Sequence, residues 1–190
     1  MTKTPEFIKS FHKTMVREGH GIRTNDKADP GGDTYSGISR VHWPNWSGWE
    51  LLKNFPGSPL LDTAVEDFYL VNFWQPIQGD ALSEHSVEIA EEVFDTCVNM
   101  GIVKGVTILQ EALSLLNNNA RIYPDLLLDG AVGWKTLESL RLYCASRPPS
   151  AEVAIARLMR VMNCLQGSHY IDLMRKHPDR EKFRGWFDRI

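Results

Sequence analysis

The chain has few cysteines, no clustered metal ligands, no long apolar run and no excess of basic charge, and each shortage removes a class of function. Its three cysteines, Cys97, Cys144 and Cys164, stand far apart with no CxxC pair. So sparse and odd a set, at apolar helical positions, excludes a disulfide framework and a zinc site and predicts reduced, buried thiols. The six histidines form no HxxxH or HExxH pair, and no GxSxG or P-loop pattern occurs. Metal-assisted and serine-nucleophile chemistry are therefore set aside, and no cofactor is expected. A net charge of −3 gives no basic footprint, so nucleic acid is not an expected partner. No segment approaches the length of a membrane span. The opening residues MTKTPEFIKSFHKTMVREG hold no apolar stretch long enough for a secretory signal. Cytoplasmic synthesis is expected, with another protein releasing the chain if its substrate lies beyond the inner membrane.

The residues that are present suit a globular fold. With 43% hydrophobic and 24% charged residues over 190 positions, one domain, or two small ones sharing a core, is expected. The dominant periodicity is helical. Phe7, Ile8, Phe11, Met15 and Glu18 share one face of a first helix that Gly19 is placed to stop. Residues 20 to 50 are rich in Gly, Asp, Pro and Trp and predict a long loop, with a short hairpin around Thr34 to Ser39. A loop of that length inside a compact domain is usually functional. Ser58-Pro59 reads as an N-cap with proline at the first helical position, opening a helix that ends before Pro76. Clean apolar stripes come next, one closing at Gly101 and one ending at Asn117-Asn118-Asn119. Trp134 to Cys144 is helical, Pro148-Pro149-Ser150 breaks the chain, and a long helix runs on through Leu173. The tail FRGWFDRI is aromatic enough to dock. The fold class is mainly α.

The chemistry concentrates after the first helix. Glu18 continues the stripe of Phe11 and Met15 and lies in the last turn, where the helix dipole is negative. Desolvation and that dipole both favour the protonated acid, the form that a general acid needs. A solvated helix-end glutamate is the bland alternative. In the loop, Asp26, Asp29 and Asp33 each suit turn bracing. Asp29 or Thr34 would also serve as a second polar group facing Glu18, to steady an oxocarbenium-like transition state or orient water. Trp43, Trp46 and Trp49, with Tyr35, either pack the loop or stack on sugar faces. Asn99 and Asp95 stand out as polar residues on an apolar helix. Tyr69, Phe73 and Trp74 sit at core spacing.

These residues carry a resemblance. Glu18-Gly19-His20, followed by Asn25-Asp26-Lys27-Ala28-Asp29-Pro30-Gly31-Gly32-Asp33-Thr34-Tyr35-Ser36-Gly37-Ile38, resembles the signature of glycoside hydrolase family 108, the lysozyme-like N-acetylmuramidases. The one departure is His20, where the family usually has glycine. Tyr69 to Trp74, and Phe94-Asp95 through Asn99 and Gly101, are similar to later family segments. Leu109-Gln110 with Ala112-Leu113, and Asp129-Gly130-Ala131-Val132-Gly133-Trp134-Lys135-Thr136-Leu137, resemble its predicted peptidoglycan-binding segment, and Gly185-Trp186 with Arg189 resembles its closing motif.

The resemblance implies a lysozyme-like helical fold with a catalytic region at 1–92 and a peptidoglycan-binding region at 93–190, sharing one core. It implies Glu18 as the general acid that cleaves the β-1,4 bond between N-acetylmuramic acid and N-acetylglucosamine, with Asp29 and Thr34 as first candidates for the second catalytic group. Tyr35, Trp43, Trp46, Asn99 and Asp26 are the candidate substrate contacts. The expected partner is bacterial peptidoglycan, reached through a holin or a secretion system as by an endolysin. The rival readings are a lytic transglycosylase using Glu18 alone and a non-enzymatic wall-binding or secretion-accessory protein.

Overall fold

A computed structural model describes residues 2–25, 32–146, 150–182 and 184–190, with backbone alone at 181 and 182. The chain divides into two compact units, Met1–Gln75 and Pro76–Ile190. The described residues are mainly helical, with one three-stranded antiparallel sheet.

In the first unit, α1 (Pro5–Glu18) starts where Thr4 caps it by accepting from the Phe7 N–H, and it stops at left-handed Gly19. Strands β1 (Arg23–Asn25), β2 (Asp33–Tyr35) and β3 (Ile38–Ser39) come next, with Thr34 opposite Thr24 and Ser39. A short α2 (Gly48–Asn54) falls inside the stretch expected to be loop. Seven residues are too few to develop an apolar stripe, so periodicity misses it. Helix α3 (Pro59–Tyr69) opens on Ser58, whose hydroxyl accepts from the Leu60 N–H. It runs into one wider π turn, Leu70–Trp74, closed by the Gln75 N–H on the Leu70 carbonyl. The extra residue in that turn shifts the helical phase at its end, and Trp74 packs inward against Phe7 with ring centroids 5.8 Å apart. Phe11 meets Tyr69 at 5.7 Å, and Met15, Leu61 and Val65 complete this core.

In the second unit, a short α4 (Gly79–Ser83) precedes α5 (Val87–Met100) and α6 (Ile102–Leu115). A single residue, Gly101, joins these two helices at φ 86 and ψ 153, a region essentially closed to residues with a Cβ. Ile89, Val93, Phe94, Val106, Leu109 and Leu113 are fully buried, as the stripes require. Helix α7 (Trp134–Ser146) and the long α8 (Ala151–Lys176) complete the unit, together with short 3-10 turns at Pro178–Lys182 and Arg184–Arg189.

The cysteine expectation needs correcting. All three are free, but only Cys97 is buried, its thiol pushed up to about 12 by that burial. Cys164 is exposed. The buried positions of α8, Leu158, Met162, Gln166 and Tyr170, recur every four residues, and position 164 lies on the opposite face.

The tail docks through polar anchors as much as rings. Trp186 stacks on Tyr170 at 5.2 Å, and Arg189 pairs with Asp95 at 3.2 Å, the two side chains 10% and 7% exposed. Removing one partner of a buried ion pair leaves the other charge poorly compensated. Arg189→Ala is therefore expected to cost on the order of 3 kcal/mol. A thermal melt should then show the midpoint lowered by roughly 10 °C; an unmoved midpoint would refute the anchoring role.

Candidate active site

The chain turns sharply after Glu18. The N–H groups of Gly19 and His20 both donate to the Met15 carbonyl, closing α1, and the path then reverses into β1. Strands β2 and β3 are joined by the two-residue turn Ser36-Gly37, with φ 47 and 77. This pair of left-handed residues matches the natural twist of a tight hairpin. Ser36 has no glycine freedom, and a left-handed L-residue costs roughly 1–2 kcal/mol. Three bonds hold it there. Its N–H donates to the Ile22 carbonyl, its hydroxyl accepts from the Gly21 N–H at 2.8 Å, and its carbonyl accepts from the Tyr69 hydroxyl at 2.8 Å. The hairpin tip is thereby tied to the turn after α1 on one side and to α3 on the other.

That tie brings Glu18 to the tip. A Cβ placed on Gly37 would lie 3.1 Å from Glu18 Oε2 and 2.7 Å from the Tyr69 hydroxyl. Glycine at 37 is thus required twice, by its positive φ and by the close approach of two oxygens. Glu18 is half-buried, whereas Gly37 is exposed. Two residues on, the ring of His20 lies edge-on to Phe11, and its Nε2 is 4.0 Å from Asp62 on α3.

The aspartates divide. Asp33 is gripped by the Arg23 guanidinium through two bonds of 2.8 and 2.9 Å, and Arg40 approaches at 3.2 Å. The Arg23 hydrogen bond, against the opposing effect of burial, holds the Asp33 carboxyl below the usual carboxylate range. Asp33 therefore braces the sheet. Asp26 and Asp29 lie outside the described residues. Thr34, in the middle of β2, donates its hydroxyl to the Gly32 carbonyl at 3.3 Å.

An aromatic group surrounds this hairpin. Tyr35 is buried and stacks on Trp46, with centroids 6.3 Å apart. Burial, reinforced by the charge of Asp62, raises its phenol above the ordinary value. Trp49 is buried, donates its indole N–H to the Trp43 carbonyl at 2.7 Å, and has the Arg40 guanidinium 4.5 Å above its ring. It belongs to the fold. Trp43 keeps 39% of its surface exposed and meets Phe68 edge-on at 4.9 Å. Grooves of about 400 and 410 Å³ run along Trp46, and Trp43 lines the second of them. Glu18 borders neither groove.

Residues 11–101 match the family model described as glycosyl hydrolase 108, and residues 104–190 match that of the predicted peptidoglycan domain. The chain carries a glycosyl hydrolase 108 region followed by a predicted peptidoglycan domain. It acts as a glycoside hydrolase on peptidoglycan, and the second match names the same polymer as its binding partner. No curated protein matches the chain. Among solved structures, that of Brucella abortus SagA is similar in fold, with a TM-score of 0.53 at 21% identity, covering 96% of this chain and 92% of that one.

Within the glycosyl hydrolase 108 match, Tyr69 is a residue whose part the spacing argument missed. It is a core residue, 2% exposed, whose buried hydroxyl lies beside Gly37 and Glu18. A tyrosine rather than a phenylalanine at a fully buried helix position was the available signal, because a buried hydroxyl needs a partner. Asn99 belongs to the second unit, where its Oδ1 accepts from the Tyr170 hydroxyl at 2.7 Å and Gln166 donates to that same tyrosine.

The Asp129-Gly130 motif of the hydrolase has a structural task. Gln110 donates to Asp129, to the Ala131 carbonyl and to Thr136, and it accepts from the Gly130 N–H. One buried amide thus holds the whole approach to α7. The Gln110 hydrogen bond also holds the Asp129 carboxyl below the usual range.

Proposed function

We propose that this peptidoglycan hydrolase is an N-acetylmuramidase, cleaving the β-1,4 bond between N-acetylmuramic acid and N-acetylglucosamine with Glu18 as general acid. The observation that supports this is the convergence of the half-buried Glu18 carboxyl group, the exposed Gly37 backbone and the buried Tyr69 hydroxyl. Gly37, lacking a side chain, lets the acid and the tyrosine hydroxyl approach the hairpin backbone closely. In this reading Glu18 gives its proton to the glycosidic oxygen as the bond to the anomeric carbon lengthens. Asp29 or Thr34 steadies the positive charge developing on the ring or orients the attacking water. Water then supplies a hydroxyl to the anomeric carbon and its remaining proton restores the acid–base pair. Tyr69 acts on position alone, holding the hairpin tip through Ser36.

Tyr35, Trp43 and Trp46, with Asp26, are proposed saccharide contacts in the first unit. Trp43 is best suited, since it is the most exposed of the three rings. Asn99 is proposed as a single polar contact in the second unit. Among the described residues no helix is long and apolar enough to cross a membrane. Delivery to the wall through a holin or a secretion system belongs to this proposal as well.

Mass spectrometry of fragments released from purified walls tests the reaction class. Hydrolysis adds one water per cleavage and leaves reducing N-acetylmuramic acid ends. A digest dominated by 1,6-anhydro ends would replace the muramidase reading with a lytic transglycosylase.

A further inference from the structure

Between α6 and α7 the chain runs from Leu116 to Gly133 almost without regular structure, yet it is held at many points. Asn117 donates to Asp125 at 2.6 Å, Tyr123 donates its hydroxyl to the Leu113 carbonyl at 2.9 Å, and the Leu126 N–H donates to Ser114 at 3.0 Å. Gln78 reaches the Val132 carbonyl, and Gln110 holds the Asp129 turn. A loop secured in this way is preorganised. At its end toward α7 it exposes large apolar side chains: Leu127 is 79% exposed, Leu128 47% and Trp134, the first residue of α7, 74%. Large apolar side chains clustered in water usually mark a binding surface.

Two cavities, each of about 200 Å³, adjoin the Trp134 indole. One is lined by Tyr123, Leu126 and Leu142 with Asp125 and Ser139 beside them, and the other by Leu127 and the Asp129 turn. The Lys135 ammonium lies 5.8 Å from the Trp134 ring centroid. Glu138, which also lines the first cavity, is already paired with Arg141 at 2.7 Å. Asp125, bonded to the Asn117 amide, and Asp129, bonded to the Gln110 amide, line these cavities beside the Lys135 ammonium and are carboxylates able to accept from hydroxyl and amide donors. A flat aromatic ring flanked by small cavities with a few polar groups is the arrangement that takes pyranose rings, whose apolar faces stack while their edges hydrogen-bond.

We infer that Trp134 and the two cavities beside it form a glycan subsite for the N-acetylated amino sugars of peptidoglycan. The inference rests on the peptidoglycan reading and gives it a location within the second unit. The indole takes the apolar face of one N-acetylhexosamine ring. The cavity between Tyr123, Leu126 and Leu142 takes the N-acetyl methyl group, and Asp125 and Ser139 meet the polar edge.

The test uses the full chain carrying Glu18→Gln, so that walls are not digested during the measurement, sedimented with purified insoluble peptidoglycan. Adding Trp134→Ala is expected to weaken wall binding roughly tenfold, the scale of one aromatic stacking contact. Trp134→Phe should recover part of that loss. Leu115→Ala, which removes an exposed leucine lining neither cavity, should leave binding unchanged. In solution, a tetramer of N-acetylglucosamine should shift the Trp134 indole N–H resonance and compete with the walls. Equal sedimentation with and without Trp134→Ala, where the Glu18→Gln chain itself binds, would overturn the subsite alone. Loss of binding in Trp134→Ala with no resonance shift from the tetramer would overturn its assignment to glycan. Failure of the Glu18→Gln chain to sediment would remove the peptidoglycan reading and the subsite together.

Discussion

Glu18→Gln is expected to lower the rate of wall solubilisation by about 10²- to 10⁴-fold, the usual worth of a positioned general acid. The amide fills the same space and keeps a polar end beside Gly37, but it has no proton to give to a departing oxygen. Stability should hold. Glu18 is half-buried at the last position of α1, where an acidic side chain gains nothing from the helix dipole. A melt of the variant matching that of the parent chain, together with collapsed turnover, would separate a chemical role from a structural one. A lysis rate within about twofold of the parent would remove Glu18 from the mechanism.

Gly37→Ala should have the next largest effect, and it probes the same point from the opposite side. The new methyl group would sit 2.7 Å from the Tyr69 hydroxyl and 3.1 Å from Glu18 Oε2, at a backbone φ of 77. Strain alone costs roughly 1–2 kcal/mol. Beyond it, the methyl displaces the two oxygens of the proposed site, and a shift of that size at the proposed general acid is expected to cost turnover on the order of 10²-fold. Gly21→Ala separates the two contributions. Its φ is 73, but a methyl group there meets nothing within 4 Å. Gly21→Ala should therefore lower the melting midpoint much as Gly37→Ala does while retaining most of the activity. Equal loss of turnover in both would mean that backbone strain, rather than displacement of Glu18 and Tyr69, governs the effect.

The helices were legible because their signals are local. Phe7, Phe11 and Met15 repeat at helical spacing and are buried in α1, and Gly19 ends it. Ser58-Pro59 opens α3, and Gly101 closes α5. Each is decided by residues within a few positions of one another, where periodicity and capping act. The hairpin around Thr34 to Ser39 was legible for the same reason. Glu18 itself was singled out by its place on the first helix and by the signature that comes after it.

Other features depend on residues far apart in the chain. The Tyr69 hydroxyl reaches the Ser36 carbonyl across 33 positions, and Arg189 reaches Asp95 across 94. No window of sequence contains both partners, so Tyr69 and Asp95 read only as an aromatic at core spacing and a polar residue on an apolar face. The same distance hid the work of the Asp129-Gly130 motif, whose organiser, Gln110, sits in the preceding helix. Sequence alone determined which long segments become helices and which acid stands at the end of the first. Only the tertiary path decided that this acid meets a glycine and a tyrosine hydroxyl, because such meetings are set by how separate elements pack and not by the order of neighbouring residues.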